Sequence, residues 1–276
     1  MLNRVEDKLH ILHGDDLPDA IDFVDRTARL WPDDSSVTNT AERDWDFNSG
    51  WHGALKLARS GWEQGIAKLQ FEAASVQQAA QLKMKVMSYA GEYPDVARFC
   101  AGEPAHMVMH RRVSKPVINL IVNVCCSGSV KAASFAAYGA AVAALIDQLE
   151  NEGHRVELDV VGVNGHSGKG RSICGWKVKR AGDALDLNAV AFSIAHPAAF
   201  RRIMFAMLER LPKHLHTWGY GSVQRIERSD AEAIGCGDAV LLDGVGKAGN
   251  GVSATEMNKR LKANVRSALG IEIQGE

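Results

Sequence analysis

Between Pro116 and Val163 the chain shows its most ordered alternation of apolar and polar positions. Val117–Val124 (VINLIVNV) is almost continuously apolar, which predicts a strand covered on both faces. Cys126-Ser127-Gly128-Ser129 then predicts a turn, and Phe135, Val142, Leu145, Ile146 and Leu149 share one face of a helix from about Lys131 to Glu152. Gly153 stops that helix, and RVELDVVGV (Arg155–Val163) resumes with strand alternation. Strand, helix and strand with short connections predict a parallel pair joined by a crossover.

The pattern extends the sheet on the C-terminal side. Ile173–Lys179 (ICGWKVK) reads as a strand, placed at an edge because lysines alternate in it. Leu185–Ile194 reads as a buried strand, followed by His196-Pro197 and a helix over Ala198–Arg210. Ala239–Asp243 suggests a last short strand, and Ser253 with Glu256 at capping-box spacing starts a helix reaching Leu269. Before Pro116 the periodicity is helical: a short helix near Leu17–Leu30, one begun by Ser49 with Trp51, Leu55 and Ala58 on a face, and one from about Gln64 to Tyr89. The expected organisation is a mainly helical N-terminal region (1–115), a doubly wound, mostly parallel α/β domain (116–245), and a C-terminal helix (246–276) packed on it.

Composition narrows the function classes. The 32 basic and 33 acidic residues nearly cancel, so no whole-chain field marks a nucleic acid or an anionic membrane as partner. The five cysteines, Cys100, Cys125, Cys126, Cys174 and Cys236, are odd in number and scattered, which reads as reduced thiols in a cytoplasm, bacterial or of an infected host. The N-terminus is interrupted by charge too early for a signal peptide, and no uncharged apolar run approaches membrane-spanning length, so no membrane is expected.

VNVCCSGSV at residues 122–130, the long helix after it and then RVELDVV resemble the first βαβ unit of von Willebrand factor A-like domains. The resemblance implies a doubly wound, Rossmann-like scaffold over residues 117–245. It also implies an Asp-x-Ser-x-Ser turn that helps hold magnesium. Ser127 and Ser129 match the two serines, and Cys125 stands where the pattern has Asp, which makes the turn degenerate. WHGALKLARSGWEQG (51–65) resembles a segment of bacteriophage-encoded proteins, which implies a viral setting with virion association.

Ser127, Ser129, Asp159 and Asp186 form the candidate metal set, with magnesium as the cofactor if the dispersed carboxylates converge and no cofactor otherwise. The thiols at 125 and 126 lack a histidine at suitable spacing and read as structural. HSGKGRSICGWKVKR (166–180) is the strongest run of positive charge. Its Lys169, Arg171, Lys177, Lys179 and Arg180, with Trp176, form a candidate nucleic-acid contact, against the plainer reading of a solvated loop and edge strand. Trp218, in KHLHTWGYG, is a further candidate contact. Because no catalytic constellation falls at the sheet's ligand-binding end, the leading expectation is a noncatalytic module that binds another protein or itself. Nucleic-acid binding through 166–180 is the alternative, and metal-dependent hydrolysis the weaker third.

Overall fold

The computed structural model describes residues 1–6, 8–30, 47, 49–66, 83–112, 115–215, 220–245, 251–271 and 273. Strands β1 (Leu2–Glu6) and β2 (Leu9–Gly14) form a hairpin, followed by helices α1 (Leu17–Arg26) and α2 (Gly50–Ser60). A small antiparallel sheet comes next: β3 (Lys83–Ser88), β4 (Tyr93–Pro94), the one-turn helix α3 (Val96–Cys100) and β5 (Met107–Arg112). Then come β6 (Val117–Asn123), α4 (Ala132–Asn151), β7 (Arg155–Gly165) and β8 (Arg171–Lys179). Helix α5 (Leu187–Val190) runs into a π-helix (Ala191–Ala195), and a second π-helix (Ala199–Met204) runs into α6 (Phe205–Leu208). The chain finishes with β9 (Ser222–Val223), α7 (Arg228–Ala233), β10 (Val240–Leu242) and α8 (Ala254–Leu269).

This is a mixed α/β fold. The main sheet has the order β1-β2-β8-β7-β6-β10, with β9 added on β7. Strands β7, β6 and β10 are mutually parallel, β8 is antiparallel to β7, and β2 is parallel to β8. The β6–α4–β7 unit is the parallel crossover that the periodicity predicts. The larger core lies on one face, where Leu120, Val122, Leu158, Val160 and Trp176 meet α4, α8, α1 and the π-helices. The smaller core on the other face joins Ile11, Ile121, Val161 and Ile173 to the α7 side chains Ala231 and Ala233. Among the described residues α4 alone is long and apolar enough to cross a membrane, and its most apolar window is 83% buried inside the fold. That burial is what a core helix needs: Gly139 lets α4 approach the first π-helix so closely that an added Cβ would lie 2.4 Å from the Ala195 methyl. Asn258 of α8 donates to the Ala141 carbonyl at 2.9 Å from the other side.

Four expectations are corrected. Residues 2–14 are not part of a mainly helical region; they pair into the main sheet, and the lysine-bearing strand β8 is interior because β2 covers its outer edge. The β8 lysines sit there because a bulge opposite Leu158 and Asp159 turns them to opposite faces, Lys179 beside Leu158 and Lys177 beside Asp159. The run expected as a strand over Leu185–Ile194 is helical from Leu187 onward, since a short buried apolar run satisfies a covered helix as well as a covered strand. The expected helix from Gln64 to Tyr89 ends in strand β3, and its middle, 67–82, lies outside the described residues.

Candidate functional site at the crest of the sheet

Open α/β sheets bind ligands beyond the carboxyl ends of parallel strands, where connections leave in opposite directions. Here that point lies between β6, which connects through α4 to β7, and β10 on the other side of β6. A cleft of about 430 Å³ opens there, with Cys125, Cys126 and Ser127 on one wall and Gln224, Arg225 and Asp243 on the other.

Local bonding shapes this crest. The Asn123 side chain accepts from the Cys125 N–H at 3.1 Å and donates to the Gln224 carbonyl at 2.9 Å, so one amide fixes both walls. The Ser/Gly turn closes with Val130 N–H donating to the Ser127 carbonyl at 3.0 Å, and the Ser127 and Ser129 hydroxyls lie 3.1 Å apart. Arg201, delivered by the second π-helix and 1% exposed, donates to the Ser127 and Val130 carbonyls at 3.1 and 3.2 Å, while its guanidinium lies over the Phe135 ring. On the β10 side the Tyr138 hydroxyl donates to the Asp243 carbonyl at 3.0 Å. Gly244 passes so close to β6 that a Cβ on it would lie 2.1 Å from the Asn123 carbonyl oxygen. Gly244→Ala is therefore expected to lower stability by roughly 1–3 kcal/mol, as overpacking against fixed backbone does. A denaturant titration checks this, and an unchanged midpoint would contradict the close approach.

The chemistry of the crest is quiet. Burial pushes the Cys125 thiol well up, and the thiol donates to Asn164 Oδ1 at 3.2 Å. Burial also raises Cys126, against the opposing pull of Arg201. Both thiols are thus held in the protonated form, which is neither a nucleophile nor a metal ligand.

The expected metal set Ser127, Ser129, Asp159 and Asp186 does not assemble, which corrects that reading. Only the serines meet. Asp159 lies level with Ile121, below the crest, where His13 Nε2 is 3.2 Å and Lys177 Nζ 2.9 Å from its carboxylate. Asp186 caps α5, accepting from the Asn188 and Ala189 N–H groups at 2.8 and 3.4 Å. The carboxylate that does reach the cleft is Asp243, which accepts from the Ile226 N–H at 3.4 Å and faces Arg225 Nε at 3.7 Å. Its signal was present in the sequence: an acid at the end of a short strand becomes a crest residue once that strand pairs with β6. With a protonated thiol at the anchor position and the nearby carboxylate opposed by an arginine, these residues do not fit a magnesium ion. Among the described residues no group of three or more His, Cys, Asp or Glu side chains is arranged to hold a metal.

The basic segment is dispersed as well. Arg171 pairs with Glu227 and Asp230, Lys177 with Glu157 and Asp159, and Lys179, 3% exposed, with Glu150. Trp176 is fully buried, its indole N–H donating to Ser193 Oγ at 3.0 Å. Lys169 and Arg180 are the members at the surface, and Arg180 donates to the Asp15 carbonyl at 3.1 Å. The segment therefore presents no continuous positive face. Trp218 lies outside the described residues.

Comparison with curated proteins and with solved structures finds no match. A family model described as a domain of unknown function, DUF7192, matches residues 4–266, nearly the whole chain. The chain belongs to the DUF7192 family.

Proposed function

We propose that this protein is a noncatalytic protein-interaction or assembly module on a doubly wound, A-type scaffold, and that it engages its partner through residues 84–99. The reading rests on where apolar surface is left in water. Of nine exposed large apolar side chains among the described residues, five fall in that short stretch: Met84, Tyr89, Tyr93, Val96 and Phe99. Helix α3 has no buried residue, and Val96 and Phe99, one turn apart on it, are 70% and 61% exposed. Such grouping marks a contact surface, since scattered apolar residues are ordinary and clustered ones are not.

A protein fits this surface better than a nucleic acid. Two cations of this stretch lie beside its own acids, Lys85 with Asp95 and Arg98 with Glu103, which offsets part of the positive charge near the apolar side chains. The scaffold reading is supported by β10 adding to the side of β6 opposite β7, and by the serine turn leading into α4. The bacteriophage resemblance at residues 51–65 supports a viral setting for the assembly.

A photo-crosslinking residue placed at Phe99 in cells of the native source tests the proposal. A protein adduct, hetero or homodimeric, is expected at position 99 and is expected to vanish when Val96→Glu is added. Absence of any adduct, or an equal yield from a crosslinker at Arg180, overturns it.

A further inference from the structure

The small sheet has the order β3-β5-β4, and among the described residues no strand pairs with the outer edge of β3. We infer that this edge takes an extended acidic segment of a partner protein as a fourth strand. The inference rests on the reading of residues 84–99 as a contact surface, and it names the chemistry of the segment held there.

Backbone bonding fixes which groups that edge presents. The His106 and Val108 carbonyls accept from the Asp95 and Glu92 N–H groups, each at 2.7 Å, so these positions turn their backbone toward β4. Direction alternates along an antiparallel ladder, which turns Met107, Met109 and Arg111 toward β3, and their partners Ser88, Val86 and Met84 toward β5. Lys83, Lys85 and Met87 are left with N–H and C=O groups directed away from the sheet. The pairing of β3 with β5 runs from Lys83 to Ser88 without a bulge, and β3 contains no proline, so the edge is regular and each outward donor is present. The opposite edge is closed by contrast, since β4 is two residues long and one of them is Pro94.

Charge selects the occupant. Lys83 pairs with Arg112, Met84 with Arg111 and Lys85 with His110, so basic positions gather at this end of the ladder, while Glu92 and Asp95 flank β4. Lys85 keeps 54% of its side chain exposed although Asp95 lies 3.8 Å away. Lysines on an edge guard against stray pairing. On β3 they are the one such guard, and it depends on the incoming strand: a basic strand is repelled and an acidic one attracted. A second copy is disfavoured by the same rule. Every antiparallel register of β3 on β3 that pairs two or more of the outward residues sets Lys85 directly or diagonally opposite a lysine of the copy. Strand alternation then writes the segment, with acidic side chains beside Lys85 and apolar ones beside Met84 and Val86, on the face shared with Met107 and Met109.

Fluorescence anisotropy of the full chain with a labelled peptide in which glutamate and valine alternate tests the inference. Saturable binding is expected, weaker by about tenfold when lysines replace the glutamates. Methylating the backbone nitrogens of one alternate set, all glutamates or all valines, should weaken binding about tenfold, the size of one or two lost hydrogen bonds, and methylating the other set should not, because one set alone faces β3. Met87→Pro removes an outward N–H and spares the β3–β5 ladder, so it should weaken the peptide to a similar degree with the circular dichroism spectrum intact. The inference is overturned if the peptide does not bind, if the lysine peptide binds as well, if the two methylated sets behave alike, or if sedimentation shows a dimer that Met87→Pro dissolves. Failure of the peptide beside a protein adduct at position 99 overturns this inference alone and leaves the interaction module standing.

Discussion

Replacing Trp176 by alanine is expected to destabilise the fold by roughly 3–5 kcal/mol, the range for deleting a fully buried tryptophan. Its side chain lies under the larger core cluster, and its indole N–H is the partner of the Ser193 hydroxyl at 3.0 Å. Trp176→Phe separates the two contributions, because it keeps much of the apolar volume and leaves a buried hydroxyl without its donor, at a cost of about 1–3 kcal/mol. The contrast with the sequence expectation is large. A tryptophan on an exposed basic strand would change stability by about 0.5 kcal/mol or less on substitution. Urea titration of both variants distinguishes the two, and a loss below 1 kcal/mol for Trp176→Ala would place the side chain outside the core.

The second large effect concerns Asp159. This carboxylate is 1% exposed and sits on the α7 side of the sheet, with His13 and Lys177 on either side and the Cys236 thiol 3.9 Å from Oδ2. Burial alone would raise the Asp159 carboxyl, but His13 and Lys177 outweigh it and hold the group below its ordinary value. Burial, with Asp159 next in effect, pushes the Cys236 thiol up to about 11, so the thiol stays neutral. Lys177→Met removes the lysine cation beside Asp159 and leaves a buried charge undercompensated, which costs about 3–5 kcal/mol at neutral pH. The sign with pH follows from the depressed value. In the wild type the contribution is present above the unfolded carboxyl value of about 3.9, and it is lost as pH falls through the lower folded value. In Lys177→Met that folded value rises, so Asp159 is relieved by protonation and the gap to wild type narrows in acid. Melting curves from pH 7 to pH 4 check this, and a gap that stays constant or widens on acidification would overturn the account.

Trp176 and Asp159 also show which parts of the fold were legible in the sequence. The β6–α4–β7 unit could be read because each of its elements has one clear period and a glycine or serine boundary. The capped helix α8 was legible for the same reason, and Ser253 accepts from the Glu256 N–H as expected. Strand β2 was hidden because His10 and His13 interrupt its apolar positions, and both are buried only in the finished sheet, His10 beside the His214 ring and His13 beside Asp159. Leu185–Ile194 offered no period that distinguishes helix from strand. For the candidate site, the serine turn could be read, whereas its acid, at the end of a legible short strand, could be placed only by the pairing of that strand with β6. Asp159 and Asp243 look alike in the sequence, and only the pairing of β10 with β6 sends one to the crest while the bulge in β8 sets a lysine beside the other.

The pairing of β2 with β8 also shapes how the molecule is made. Leu9–Gly14 leaves the ribosome well before Arg171–Trp176, the residues it lies beside in the finished sheet. At 5–20 residues per second, the N-terminal hairpin waits on the order of ten seconds for its partner. The three parallel strands β7, β6 and β10 place a further demand on the order of events, since β10 emerges last and docks on β6. A chain whose first and last strands both join the sheet late forms its long-range contacts in one slow closing step. Until then the outer edges of β6 and β8 are open to other strands, so synthesis, rather than the finished fold, is the stage at which this protein is most exposed to misassembly.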